Sequence, residues 1–232
     1  MVRPASWILV LAMAPLLAGV SPAHAQDRNW TLCTGDSDND GVIIKFCNAV
    51  IQAGKQTNEN LAIAFKNLCL AYNNQGDHDR AINNCDQALR LKPAYLDAYR
   101  NRGHAYFNKG DNDRAIADYD QVLALGPNET ALVQRGAAYH MKGDNVRAIA
   151  DLDQAVALDP DDAIAFYVRG ASYEKQNDNG HALQDYSQAI RLAPKFAASI
   201  FRRGVLEKQM GDAKGGDADI ALARKIDPTV GK

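Results

Sequence analysis

Five prolines, Pro93, Pro127, Pro160, Pro194 and Pro228, stand 34, 33, 34 and 34 residues apart. Gly103, Gly136, Gly170 and Gly204 keep the same beat, and so do Ala81, Ala115, Ala148 and Ala182, with Gly216 at the fifth place. Three residue types in register on one period define an internal repeat. A repeat of this length marks an array in which each unit packs only on its neighbours.

Each unit reads as two helices. In residues 96–127, Tyr99, Gly103 and Tyr106 fall on one face at i, i+4 and i+7, and Gly110 with Asp111 marks a turn. Ala115, Ile116, Tyr119 and Val122 then form the apolar face of a second helix, which Gly126 and Pro127 end. Gly103 and Ala115 are small where two antiparallel helices must approach closely. A lone two-helix unit leaves its apolar face open, so stacked copies must share one continuous core.

Composition agrees. Of 232 residues, 47% are hydrophobic and 23% charged, a globular balance rather than that of a disordered chain. Val, Ile and Thr are too sparse for a large sheet, which disfavours sandwiches, barrels and doubly wound folds. With 26 Lys and Arg against 28 Asp and Glu, the net charge of −2 lacks the basic surplus of a nucleic-acid binder.

Residues 1–25 read as a cleaved signal peptide. Arg3 gives a basic start, Trp7 to Val20 is an apolar run of 14 residues interrupted by Pro15, and Ala23-His24-Ala25 has the small-x-small pattern of a cleavage site. The competing reading is a membrane anchor, but such a run is too short to cross about 30 Å of hydrocarbon. The expectation is a mature chain from Gln26, periplasmic or secreted, with no stable membrane insertion. Cys33, Cys47, Cys69 and Cys85 all lie in the exported part, an even number that fits two disulfides. No pair of Cys or His stands at zinc-ligand spacing.

The repeat resembles the tetratricopeptide repeat family, whose pattern runs aromatic or Leu, x2, Leu-Gly, x2, Tyr, then Ala, x3, Phe, x2, Ala, then Pro. The first unit has Phe65, Leu68, Cys69, Tyr72, Ala81, Cys85, Ala88 and Pro93. The second has Tyr99, Arg102, Gly103, Tyr106, Ala115, Tyr119, Val122 and Pro127. Leu132, Arg135, Gly136, Tyr139, Ala148, Leu152, Ala155 and Pro160 make the third, and Phe166, Arg169, Gly170, Tyr173, Ala182, Tyr186, Ala189 and Pro194 the fourth. The fifth is degenerate, with Glu207 for the tyrosine and Gly216 for the alanine.

The resemblance implies an all-α, right-handed α-solenoid whose concave groove binds peptides or proteins. The expected organisation is a cap segment over 26–61 and five units at 62–95, 96–128, 129–162, 163–196 and 197–230. The expected function is a non-catalytic adaptor with a protein or peptide partner, no cofactor and a monomeric chain.

Comparison between units adds detail. The usual leucine is Arg102, Arg135, Arg169 and Arg203 in four units, and those same units carry Asp118, Asp151, Asp185 or Asp219 before the second-helix aromatic position. The first unit has Leu68 and Asn84 instead. Covariation of this kind points to an Arg–Asp ladder between helices, against the alternative of independent solvated charges. The first unit alone has Cys at two facing positions, which suggests Cys69–Cys85. Val42–Ala53 reads as a lone second-type helix with Cys47 placed like Cys85, so Cys33 would staple an N-terminal strand to it as Cys33–Cys47. Each closed loop of about 15 residues is worth about 3 kcal/mol in the chain-entropy model.

By repeat position, the resemblance places Lys66, Arg100, His104, Phe107, Val133, His140, Tyr167 and Phe201 on the groove face, basic towards the N-terminal side and apolar or aromatic beyond. Such aromatics either meet a partner or pack on neighbouring units. The family's clamp for peptide C-termini is not reproduced. Lys66 and Asn101 fit two of its places, but Leu70 stands where an Asn is needed and Thr130 and Gln134 replace its basic pair.

Two segments carry metal-ligand residue types. Asp36, Asp38 and Asp40 with Gly41 match the start of a calcium loop, but its twelfth place is Cys47 rather than Glu, and a helix-capping turn explains the same residues. His104 and His140 share the expected groove without an evident third ligand. No nucleophile elbow, phosphate loop or zinc-protease motif occurs, so the chain is expected not to be an enzyme, with a small-ligand or metal-binding module as the alternative.

Overall fold

The structure, a computed structural model, describes residues 22–35 and 39–232. Most of the expected signal segment, together with Asp36 and Asp38, lies outside the described residues. These form twelve helices and no strand. They are α1 (Pro22–Thr34), α2 (Asp40–Ala53), α3 (Asn58–Asn74), α4 (His78–Leu91), α5 (Leu96–Asn108), α6 (Asn112–Ala124), α7 (Glu129–Met141), α8 (Asn145–Leu158), α9 (Ala163–Lys175), α10 (Asn179–Leu192), α11 (Ala197–Gln209) and α12 (Ala213–Ile226).

Each odd-numbered helix packs on the even-numbered helix after it, giving six antiparallel hairpins stacked in sequence order as a right-handed α-solenoid. First helices also touch along the stack, α3 on α5, α5 on α7 and α7 on α9, whereas no two second helices pack that closely. The first helices therefore line the concave side and the second helices the outside.

The turns repeat one solution. After each of α3, α5, α7, α9 and α11 a single residue adopts a left-handed conformation, glycine at Gly76, Gly110, Gly143 and Gly211 but Asn177 in the fourth unit. An aspartate then caps the second helix: Asp77, Asp111, Asp144, Asp178 and Asp212 accept the backbone N–H of Arg80, Arg114, Arg147, His181 and Gly215. The Arg three residues on turns back to the same carboxylate and lays its guanidinium over the preceding tyrosine. Arg80 over Tyr72, Arg114 over Tyr106 and Arg147 over Tyr139 all stand 4.4 Å from the ring centroid.

The expected ladder is present and reaches further than one unit. Arg102 donates to both Asp118 oxygens at 2.9 and 2.7 Å, and its third nitrogen reaches Asp86 of the preceding unit at 2.5 Å. Arg135 does the same with Asp151 and Asp120, and Arg169 with Asp185 and Asp153. Arg203 grips Asp219, with Ser187 as its neighbour across the unit boundary. Each arginine thus binds two successive second helices and sets the spacing between units.

At the N-terminus the chain departs from the sequence expectation. The segment around Cys33 is helix α1, not a strand. It pairs with α2 and touches α3, so the cap is itself a two-helix unit. Trp30 and Cys33, one turn apart, face the first core cluster, and Asn67 Nδ2 donates to the Cys33 carbonyl at 2.8 Å. Disulfides join Cys33 to Cys47 and Cys69 to Cys85, one inside each of the first two hairpins. No described helix is long and apolar enough to cross a membrane.

Candidate functional site

The concave face begins basic. Lys66 on α3 and Arg100 on α5 lie near one another, and Arg100 is held by Asp97 at 2.9 Å. Burial lowers the Lys66 pKa, with Asp97 opposing and Arg100 reinforcing that shift. Farther along, α5, α7 and α9 bound an open cleft of about 330 Å³. His104 and Phe107 come from α5, Val133 and Ala137 from α7, and Ile164 and Val168 from α9. Three of the expected groove residues, His104, Phe107 and Val133, therefore meet in one place.

Partial burial, and then His78, lower the His104 pKa, and its ring lies 3.1 Å from Asn108 Nδ2. His140 sits outside this cleft. Its Nδ1 lies 3.0 Å from Asn145 Oδ1 and 3.1 Å from Ser172 Oγ. Ser172 donates its own proton to the Val168 carbonyl, so Nδ1 of His140 carries the hydrogen and donates. Burial, together with the charges of Lys175 and Arg202, lowers the His140 pKa. The two histidines thus sit in separate hydrogen-bonded settings. Among the described residues, no three His, Cys, Asp or Glu side chains converge as a metal site. Asp40 accepts from Asn74 Nδ2 at 3.0 Å, and Cys47, the twelfth place of the suspected calcium loop, is in a disulfide.

The aromatic side of the groove is partly covered by the chain itself. Tyr167 packs between Tyr186 and Phe196, with ring centroids 6.0 and 5.0 Å away. Phe201 lies under Arg224, 5.9 Å from the guanidinium, and Gly231 presses on it so closely that no Cβ would fit there. Both Tyr167 and Phe201 pack on neighbouring parts of the chain and remain half-buried. Beside them Glu174 accepts from the Tyr186 hydroxyl at 2.7 Å and pairs with Arg202 at 2.7 Å.

Sequence reading missed the polar floor of the cleft. Tyr119 and Gln134 reach it from α6 and α7, and Glu129 and Asp162 stand at the starts of α7 and α9. The signal was present in the unit-to-unit comparison. Phe107 and Gln134 occupy the repeat positions that Glu174 and Arg202 hold two units later.

Comparisons with known proteins agree on the fold. The family model described as "TPR repeat" matches residues 70–110 and 136–177, and models described as "Tetratricopeptide repeat" match 96–129 and 163–196. Together these span just over half of the chain. A tetratricopeptide repeat protein from Parabacteroides merdae is 18% identical, covers 88% of this chain and 78% of its own, and superposes with a TM-score of 0.73. MamA from Desulfovibrio magneticus is 22% identical over 74% of this chain and 97% of its own, with a TM-score of 0.65. YrrB, described as "a TPR protein with an unusual peptide-binding site", is 21% identical over 79% of this chain and 93% of its own, with a TM-score of 0.60. No curated protein sequence matches the chain.

Proposed function

We propose that this chain, which belongs to the tetratricopeptide repeat family, is a non-catalytic scaffold that holds a protein or peptide partner in its concave groove, and that it works as a monomer in the periplasm or outside the cell. The observation that carries the reading is the cleft between α5, α7 and α9, with Phe107, Val133 and Ala137 in its walls. Pockets of this kind, apolar with a few convergent polar groups, are where interaction energy concentrates. YrrB, which shares the fold, is described as having a peptide-binding site of its own.

Export is supported by the leader-like residues 1–25 and by the two disulfides, bonds that persist in oxidising compartments. Fractionation of expressing cells, with N-terminal sequencing, tests this half. A mature chain starting at Gln26 in the periplasmic or extracellular fraction is expected, and an intact Met1 start in the cytoplasm would contradict it. Binding is tested by capturing partners of the oxidised chain beside an Ala137→Arg variant, which fills the cleft from a half-buried position. A specific partner lost from the variant while helical content is kept supports the groove. An identical capture by both would remove it.

A further inference from the structure

The fourth and second units solve the same packing problem differently. In the fourth, Tyr186 is fully buried and its hydroxyl donates to Glu174, which Arg202 neutralises. In the second, Tyr119 is equally buried, but the places of Glu174 and Arg202 hold Phe107 and Gln134. Neither can serve the hydroxyl from where it stands. The Tyr119 OH and Gln134 Oε1 are buried atoms with no protein partner, and both residues line the same cleft. Buried polar groups in native proteins are nearly always paired, so two such atoms in one cleft point to a group supplied from outside.

What that group must be follows from what surrounds it. Gln134 Oε1 accepts hydrogen bonds, as do the carboxylates of Glu129 and Asp162 when ionised, and the Tyr119 hydroxyl can accept as well as donate. Burial raises the Glu129 pKa, reinforced by its hydrogen bond with Asp162 and by the charges of Asp162 and Asp159, and opposed by the hydroxyl of Thr130, which donates to it at 3.1 Å. The pKa of His104, the basic side chain of the lining, is lowered by burial. The walls between are apolar, with the Phe107 ring among them. A group that fits has an apolar stem, several donors, a positive charge and a flat face, which is the chemistry of a guanidinium.

We propose that the cleft between α5, α7 and α9 is a specificity pocket for an arginine side chain of the partner, its stem against Phe107 and Val133 and its guanidinium among Tyr119, Gln134, Glu129 and Asp162. The proposal rests on the groove reading and names the feature of the partner that the groove selects.

The probe is the pentapeptide acetyl-Ala-Ala-Arg-Ala-Ala-amide, titrated into the oxidised chain beside its citrulline counterpart, which has nearly the same shape without the charge. Backbone amide resonances report the site. Saturable shifts at Val133, Gln134 and Ala137 are expected for arginine, with at least tenfold weaker binding of citrulline. Glu129→Gln with Asp162→Asn, which keeps a capping side chain on α9, should abolish the preference. Tyr119→Phe should weaken arginine binding several-fold without lowering the melting temperature.

Equal binding of the two peptides, shifts confined to other residues, or a Tyr119→Phe variant that is less stable yet binds normally would each overturn the pocket. The two failures are distinguishable. A partner that crosslinks to the groove with no arginine preference removes the pocket alone. Partners bound only on the outer face remove the groove reading and, with it, the pocket's role in partner selection, even where the free peptide shifts Val133.

Discussion

Arg135 holds Asp151 through two parallel hydrogen bonds, Nε to Oδ2 at 2.8 Å and Nη2 to Oδ1 at 2.7 Å, on a side chain that is 6% exposed. The bonds to Asp151 and Asp120 raise the Arg135 pKa, so the guanidinium stays charged at any working pH. Removing it leaves Asp151 buried and unpaired. Arg135→Leu should therefore destabilise by about 3 kcal/mol or more, because an uncompensated buried charge is worse than no pair at all. Arg135→Leu with Asp151→Asn should recover part of that loss, with a coupling of about 1–3 kcal/mol in a denaturant double-mutant cycle. Strict additivity would mean that the ladder is ornamental.

Glycines in this chain should respond to alanine with opposite signs. At Gly204 a Cβ would stand 2.7 Å from the Gly216 carbonyl oxygen and 2.8 Å from Asp219 Cβ, and a backbone neighbour cannot give way. Gly204→Ala should destabilise by about 1–3 kcal/mol. At Gly180, in the first turn of α10, the nearest atom is Asp178 Oδ1 at 3.9 Å. Gly180→Ala should stabilise by about 0.5 kcal/mol through the smaller entropy of the unfolded chain. Thermal melts of the two variants check both signs.

The disulfides should matter in different places. Each closes a short loop, with sequence separations of 14 and 16, so each contributes about 3 kcal/mol in the chain-entropy model. Cys33→Ala/Cys47→Ala should free α1 and α2 and leave the later units protected in hydrogen exchange. Cys69→Ala/Cys85→Ala should raise exchange through α3 to α5, whose cores are contiguous with that bond.

Mild acid should loosen the middle of the stack. Burial, Lys175 and Arg202 lower the His140 pKa, while Asn145 and Glu174 act the other way. A histidine with a depressed folded pKa favours the fold while neutral. Its contribution is complete above the unfolded value of about 6.5 and is lost as pH falls from there towards the folded value. The capping aspartates Asp77, Asp111, Asp144 and Asp178, whose pKa values are lowered, continue the trend at lower pH. Asp144 is held below the usual carboxylate range by hydrogen bonds from the Arg147 side chain and backbone, so its support fades as it protonates. His140→Gln should flatten the stability curve between about pH 6.5 and 5 and leave the steeper acid limb unchanged.

Much of this was legible before any coordinates. The period of Pro, Gly and Ala gave the hairpins, because helix–helix contact demands small residues at fixed places such as Gly136, where an added Cβ would be 2.9 Å from Leu152 Cγ. The Arg–Asp ladder could be read because both partners change together between units. Helix α1 could not, since it carries none of the repeat's punctuation and overlaps the leader-like segment. Tyr167 and Phe201 were correctly placed on the first helices, yet repeat position says nothing about what covers a side chain. Phe196 precedes α11 and Gly231 follows α12, and both come from outside the first-helix face. The Asp–Arg–Tyr corners went unread although Asp111, Arg114 and Tyr106 recur on the period. Their cause is local capping chemistry rather than burial.

The central claim is that partners bind on the concave face. A photoreactive benzoylphenylalanine placed at His104, inside the cleft, or at Gln154, on the exposed outer side of α8, separates the two faces in cells that express the full chain. A specific adduct from position 104, absent from position 154 and lost with Ala137→Arg, is the expected result. Adducts that form from position 154 and not from 104 would contradict it.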